Sequence, residues 1–581
     1  MKQFFKFTLA TIVGFILASF LSVILFFIVV GALASSSDKP TEVKSNSVYE
    51  LELKGSLVDR SQDDPFSAAF AEAFGQPGTS VIGLDDVLQN IEKAKNNPNI
   101  SGIYLKGGML VGGYASLKEI RDALIDFKTT GKFVVAYADT YMQSNYYLAT
   151  VADKVLLNPE GMLELKGLNA ELLFLKNTFD KIGVDMQVVK VGSFKSAVEP
   201  YINTKMSDEN RLQVSAYLSS IWKTMLSEIS ASRKIAVDSL NIYADQMMLF
   251  QPTLKNLEYG LVDSLVYADE VKQIIESFNG EYKTIKHSAM MMVPSDKKFA
   301  KEKIAVIYAV GAIDGGDSEG IVSDKLVQTI NDAAADDMIK SVVFRVSSPG
   351  GSAYGSEQIW RALTLLKEKK PLIVSMGDYA ASGGYYISCM ADTVVAQPNT
   401  ITGSIGIFGL IPNIDGLNKK LGLTYDGVKT NKLSDAISIN RAFRPEERDL
   451  MQAYVNRGYE LFVKRCADGR GMTVDEIKAV AEGRVWTGED AKKLGLVDVL
   501  GGLNDAIAIA VEKSGLEKYR VVEYPEKEDF ATRLMKGLSG DVEAKFAKST
   551  LGENYQVFQY LKQATQMQGI QARLPYELII K

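Results

Sequence analysis

The chain has 581 residues, 46% of them hydrophobic and 23% charged, with a formal net charge of −6. That length suggests about two to four domains with ordinary globular cores. A mildly acidic chain without a polybasic tract sets aside a nucleic-acid binder.

At the amino terminus, Lys2 and Lys6 precede a stretch without charge from Phe7 to Ser37. Its apolar part, Phe7 to Leu33, is long enough to cross a hydrocarbon core of about 30 Å as a helix. Ala32-Leu33-Ala34 resembles a cleavage site. The run far exceeds a signal-peptide core of about 7–15 residues, so an uncleaved anchor is expected. Lysines before the span put the amino terminus in the cytoplasm and the remainder outside.

Beyond the anchor the chain repeats itself. Ile100-Ser-Gly-Ile-Tyr-Leu-Lys106 recurs as Ile339-Lys-Ser-Val-Val-Phe-Arg345, an offset of 239. The same offset carries Ala152-Asp153 onto Ala391-Asp392, Asp139 onto Asp378, and Tyr146-Tyr147 onto Tyr385-Tyr386. Two copies of one α/β domain are therefore expected. In the second copy, 304–310, 341–346, 372–376 and 393–396 read as strands, and 356–369 as a helix with Ile359, Leu363 and Leu366 on one face. Such alternation implies a mostly parallel sheet, with ligands beyond the carboxyl ends of its strands.

Two loops at those ends carry chemistry. Ser347-Ser348-Pro349-Gly350-Gly351-Ser352 can present bare backbone N–H groups to an oxyanion. Gly377-Asp378-Tyr379-Ala380-Ala381-Ser382-Gly383-Gly384 places a serine at the start of a helix, as a nucleophile or as a simple N-cap. The copies differ at these points. Ser382 corresponds to Gln143, while Lys195 corresponds to Ser434. One copy has a candidate nucleophile and the other a candidate base, as expected of an ancestral dyad divided between duplicated halves; ordinary drift gives the same pattern.

The only histidine, His287, lies in a polar connector, a poor place to hold a catalytic base. Two cysteines, Cys389 and Cys466, show no metal-ligand spacing. Two buried free thiols are expected, and a disulfide between them stays open. Tyr385, Tyr386 and Cys389 share helical spacing and read as core, and Glu199 before Pro200 reads as structural.

At Gly192-Ser-Phe-Lys195-Ser-Ala-Val-Glu-Pro200, Ser348-Pro-Gly-Gly351, Asp378-Tyr-Ala-Ala-Ser382-Gly-Gly-Tyr-Tyr386 and Thr402-Gly-Ser-Ile-Gly406, the sequence resembles the signal peptide peptidase A (protease IV) family, long tandem-domain type. The resemblance implies two tandem ClpP/crotonase-like domains. It implies Ser382 as nucleophile, Lys195 as general base, Ser404 orienting the lysine, and Gly351 and Gly383 supplying oxyanion N–H groups. It further implies hydrolysis of remnant signal peptides and other apolar peptides at the bacterial inner membrane, on its periplasmic side, by a homotetramer that needs no metal or cofactor. Ser347 and Phe194 stand where the family often has Asn and Tyr.

The expected layout is a cytoplasmic stub and anchor over 1–36, then a tether over 37–46. A lysine-supplying domain follows over 47–284, a linker over 285–302, a serine-supplying domain over 303–525 and a helical extension over 526–581. Two other readings compete: an acyl-CoA hydratase or isomerase of the same superfold, and a non-catalytic membrane scaffold.

Overall fold

The computed structural model describes residues 2–37, 41–61, 81–294, 300–315, 320–527 and 570–574. A helix, Lys2–Ser37, opens the chain. Its side chains are described continuously only over 6–22, and among the described residues no helix is long and apolar enough to cross a membrane.

Two α/β units follow. The first sheet runs Val81–Gly83, Ser47–Val58, Ile100–Val111, Phe133–Tyr141, Lys154–Leu163, Ser264–Leu265, every neighbouring pair parallel. The second runs Val485–Thr487, Ile401–Gly403, Leu372–Ala381, Ile339–Ser348, Lys303–Val310, Arg520–Tyr524. Lys303–Val310 is buried on both faces up to its last residue, so it reads as a near-continuous apolar run rather than an alternating one. Three strands begin at the expected offset: Ile100 and Ile339, Phe133 and Leu372, Lys154 and Thr393.

Several elements exceed their sequence-based bounds. The helix Ala353–Lys367 starts before residue 356 because Ser352 Oγ caps it, accepting from Gly355 N at 3.1 Å. The strand at 372 continues through Ala381 because Tyr379, Ala380 and Ala381 gain a second partner, Ile401–Gly403. Around His287 the connector is docked. Thr284–Lys286 pairs with Ser47–Val58, and His287 Nδ1 lies 2.5 Å from the Tyr49 hydroxyl. The tether is held too: Val43 is buried and Thr41 N donates to Met292 O. Most of 526–581 lies outside the described residues, and the described part, Ile570–Arg573, is a strand rather than a helix.

The units interlock. Asp185–Lys190 leaves the first and pairs antiparallel with Phe408–Asn413 of the second through six residue pairs. Helix Leu503–Ser514 of the second packs Leu503, Ala506 and Ala510 into the core that holds Leu117, Ile120 and Leu124 of the first. Between them, fully buried Arg345 approaches two carboxylates of the first unit, Asp59 at 2.6 Å and Glu119 at 2.8 Å. Asp378 accepts from Ser116 Oγ at 2.7 Å and Ser116 N at 3.0 Å. A buried cation facing two carboxylates ties relative position to charge pairing, since separating them leaves unpaired charges out of water.

Candidate active site

Lys195 sits in the loop that follows the exchanged strand, just before the short turn Ser196–Val198. That loop is clasped by 482–485. Phe194 N donates to Glu482 O at 3.0 Å, and Gln213 bridges the two segments through Ser196 Oγ and Val485 N. Gly483 completes the clasp at φ +75°, where a β-carbon would stand 2.7 Å from Lys195 Cβ. Only glycine combines that backbone with that approach.

Lys195 Nζ lies 2.7 Å from Ser382 Oγ, 3.0 Å from Ser404 O and 3.0 Å from Ser404 Oγ. Lys195 and Ser382 are both 0% exposed. Desolvation holds the lysine pKa well below its ordinary value, because burial penalises the ammonium and no carboxylate pairs with it among the described residues. Ser382 has φ 55° and ψ −114°. Such a backbone costs a non-glycine residue about 1–3 kcal/mol and is met at sites where geometry is imposed from outside. Its side chain makes no cap bond to the short helix Gly383–Tyr386, so the N-cap role is not the one realised.

The glycine loop flanks the serine. Gly350–Ser352 is a short strand beside Ile570–Arg573. A β-carbon on Gly350 would stand 2.7 Å from Gly383 N, so the two glycine segments meet next to Ser382. All five residues singled out by the sequence, Ser382, Lys195, Ser404, Gly351 and Gly383, thus lie in one neighbourhood at the junction of the units.

The matching position in the first unit is closed. Gln143, standing for Ser382, donates to Tyr114 Oη and Gly167 O and accepts from Lys166 N and Gly167 N. Ser434, standing for Lys195, is exposed. Glu199 accepts from Ser207 and Asn210. Tyr385, Tyr386 and Cys389 are core. Both cysteines are free and buried, and burial pushes the Cys466 thiol upward. The clasp by Gly483 and the strand Ile570–Arg573 carried no signal in the sequence, since neither stands near a recognisable motif.

Two segments, 126–280 and 364–517, match the model of peptidase family S49, one in each unit. The molecule is a serine peptidase. The chain belongs to peptidase family S49. Among its relatives, Protease 4 of Salmonella typhi is 37% identical over 85% of this chain and 82% of its own. Protease 4 of Haemophilus influenzae is 34% identical over 84% and 82%. The chloroplastic serine protease SPPA of Arabidopsis thaliana is 31% identical over 92% and 78%. A ClpP1 point mutant from Listeria monocytogenes aligns with 35% of this chain and 94% of its own at 12% identity, with a TM-score of 0.24. Membership decides against the acyl-CoA and scaffold readings, and peptides are the substrate class.

Proposed function

We propose that Ser382 and Lys195 form a Ser–Lys dyad that cleaves apolar peptides, among them remnant signal peptides, at a membrane surface. The observation that carries this reading is the 2.7 Å contact between a buried serine and a buried lysine that has no carboxylate partner among the described residues. Neutral Lys195 has two N–H donors for Ser404 O and Oγ, which leaves its lone pair facing the Ser382 hydroxyl. Ser382 attacks the scissile carbonyl as Lys195 takes its proton. Backbone N–H groups of Gly351 and Gly383 receive the oxyanion, a donor being worth about 2.7–4 kcal/mol in such a site. Lys195 then protonates the leaving amine, and water hydrolyses the acyl-enzyme. Each unit is read as a ClpP/crotonase-like domain, in keeping with its parallel sheet and crossover helices.

The membrane reading rests on the sequence of the first helix. Lys2–Ser37 carries no charge after Lys6 and would be roughly 54 Å long at 1.5 Å per residue. With Lys2 and Lys6 on the cytoplasmic side, the catalytic units lie in the periplasm. Assembly into a homotetramer gains support from the strand exchange. In the second unit, the counterpart of Asp185–Lys190 is 424–429, which lies in no strand and exposes Tyr425 and Val428. The counterpart of Phe408–Asn413 is 169–174, also in no strand. Pairing one copy's 424–429 with 169–174 of the next would repeat the internal contact head to tail, a heterologous interface of the kind that builds a ring when its rotation closes.

Hydrolysis of an apolar signal-like peptide by the purified full-length chain in detergent tests the dyad. Lys195→Met and Ser382→Ala are each expected to fall by at least about 10²–10⁴-fold while staying folded. Near-normal activity in Lys195→Met would place the base elsewhere.

A further inference from the structure

The edge that the glycine loop forms in the second unit has a counterpart in the first. Val111-Gly112-Gly113 stands at the same offset from Gly350-Gly351-Ser352 as the other repeated segments. Gly112 lies against Leu57 much as Gly351 pairs with Ile313: a β-carbon on Gly112 would stand 2.8 Å from Leu57 Cβ. Gln143 fills the position of the serine, but a cavity of about 270 Å³ remains along this edge. It is smaller than the roughly 300–1,000 Å³ of sites that enclose small molecules, so it suits part of a longer ligand.

Both units build the cavity. Leu57, Gly112 and Tyr114 line it from the first, and Tyr379, Asn399 and Ile401 from the second. Tyr379 and Ile401 pair in register, and each stands three residues before a serine of the candidate site, Ser382 and Ser404. At about 3.3 Å per residue the cavity lies on the order of 10 Å from Ser382, within reach of a peptide held there. Its rim is apolar. Val111 is exposed there, and Met109, also exposed, lies two residues earlier on the same face of the strand.

One polar group in the wall is unmatched. Asn399 is 3% exposed, and neither Nδ2 nor Oδ1 has a hydrogen-bond partner among the described residues. Its polar neighbours are matched: Asp378 accepts from Ser116, and the Tyr114 hydroxyl accepts from Gln143. A buried carboxamide that lacks both an acceptor and a donor costs stability. The N–H and C=O of one residue in an extended peptide point to the same side and supply both at once.

Resting on the peptidase reading above, we infer that the first unit keeps a second peptide-binding site, which holds a remote stretch of the same apolar substrate whose scissile bond lies at Ser382. One substrate residue pairs its N–H and C=O with the Asn399 carboxamide. Its apolar neighbours lie along Val111 and Met109. The unit without a nucleophile thus contributes substrate binding as well as Lys195.

Fluorescence anisotropy on the full-length Ser382→Ala chain in detergent reads this binding without cleavage. The probe is a labelled peptide of about twelve leucine and alanine residues, long enough to reach the cavity from residue 382 in either direction. Adding Asn399→Leu is expected to raise Kd about tenfold or more. It is also expected to raise thermal stability, because an apolar group of similar size replaces an unmatched buried amide. Val111→Asp, at an exposed position, is expected to raise Kd as well, since its carboxylate would meet the apolar peptide. With Ser382 intact, wild type should favour the long peptide over one of about four residues in kcat/KM, and in both variants that ratio should fall toward one. Unchanged affinity in both variants overturns the inference. So does an unchanged ratio, or a loss of thermal stability in Asn399→Leu, which would make the amide a structural group. Failure of folded wild type to cleave either peptide sinks the dyad assignment, while the anisotropy measurement still decides this inference.

Discussion

Lys195 has a low proton affinity because it is desolvated, and two measurable consequences follow. In the role proposed for it, general base, it works only when neutral, so kcat/KM should climb with pH as the ammonium is lost, with a midpoint below the ordinary lysine value of about 10.4. A profile flat from weakly acidic to alkaline pH would argue against a lysine base. The second consequence concerns stability. With the native pKa depressed, the unfolded chain binds more protons than the native one between the native and unfolded pKa values, so stability rises with pH across that window. Each unit of depression corresponds to about 1.4 kcal/mol. Lys195→Met lacks this dependence. Denaturant titrations should show the variant's stability relative to wild type greatest at the low-pH end and shrinking as pH rises toward about 10. At this scale the sequence was informative where chemistry demanded a residue type. Lys195 and Ser382 stood out because each is replaced in the other copy. Gly483 did not, because nothing in Glu482-Gly483-Arg484 says that a loop from the other unit closes against it.

The elements that bring Lys195 beside Ser382 are the exchanged strand and the clasp at 482–485. Gly483→Ala tests the clasp directly. The new β-carbon would stand 2.7 Å from Lys195 Cβ and Lys195 N, and the left-handed backbone adds about 1–2 kcal/mol of its own. The lysine must move, and misplacement of a reacting group by about 1 Å costs on the order of 10²-fold. Steady-state kinetics on an apolar peptide should show kcat down at least about tenfold with KM little altered, because Gly483 lies behind the lysine and not along the Gly350–Ser352 edge. Unchanged kcat in a folded Gly483→Ala chain would mean that the clasp does not position Lys195. Elements with strong periodicity were legible from sequence, as with Ile359, Leu363 and Leu366 on the helix Ala353–Lys367. Extensions set by distant partners were not. Leu372–Ala381 runs on because Ile401–Gly403 pairs with its end, and Ile570–Arg573 is extended because two edges receive it. Local pattern cannot report a partner hundreds of residues away.

Across the whole molecule the duplication does more than double a fold. The first unit sends Asp185–Lys190 to the second and brings Lys195 with it, whereas the corresponding arm of the second unit, with Ser434 in the lysine position, ends on the surface. Leu423, Tyr425, Val428, Ile437 and Ile439 are exposed along that arm, and Val428 is fully so. An exposed apolar arm whose 424–429 stretch lies in no strand among the described residues, in a chain whose 169–174 stretch likewise lies in none, fits a head-to-tail contact between copies. Val428→Asp is the discriminating change. Its side chain is fully exposed among the described residues, so thermal unfolding of a dissociated copy should be unaffected. In the assembly the carboxylate would be buried unpaired at a cost of several kcal/mol. At about 1.4 kcal/mol per tenfold, the dissociation constant should rise by about two orders of magnitude or more. Light scattering on detergent-solubilised chain should then find wild type as a closed oligomer and Val428→Asp mostly as single copies. Because the Lys195–Ser382 contact lies within one chain, peptide hydrolysis per chain should, on the proposed mechanism, survive the dissociation. An unchanged oligomer would move the contact away from 424–429. Activity lost together with assembly would mean that the neighbouring copy holds the Lys195 loop in place.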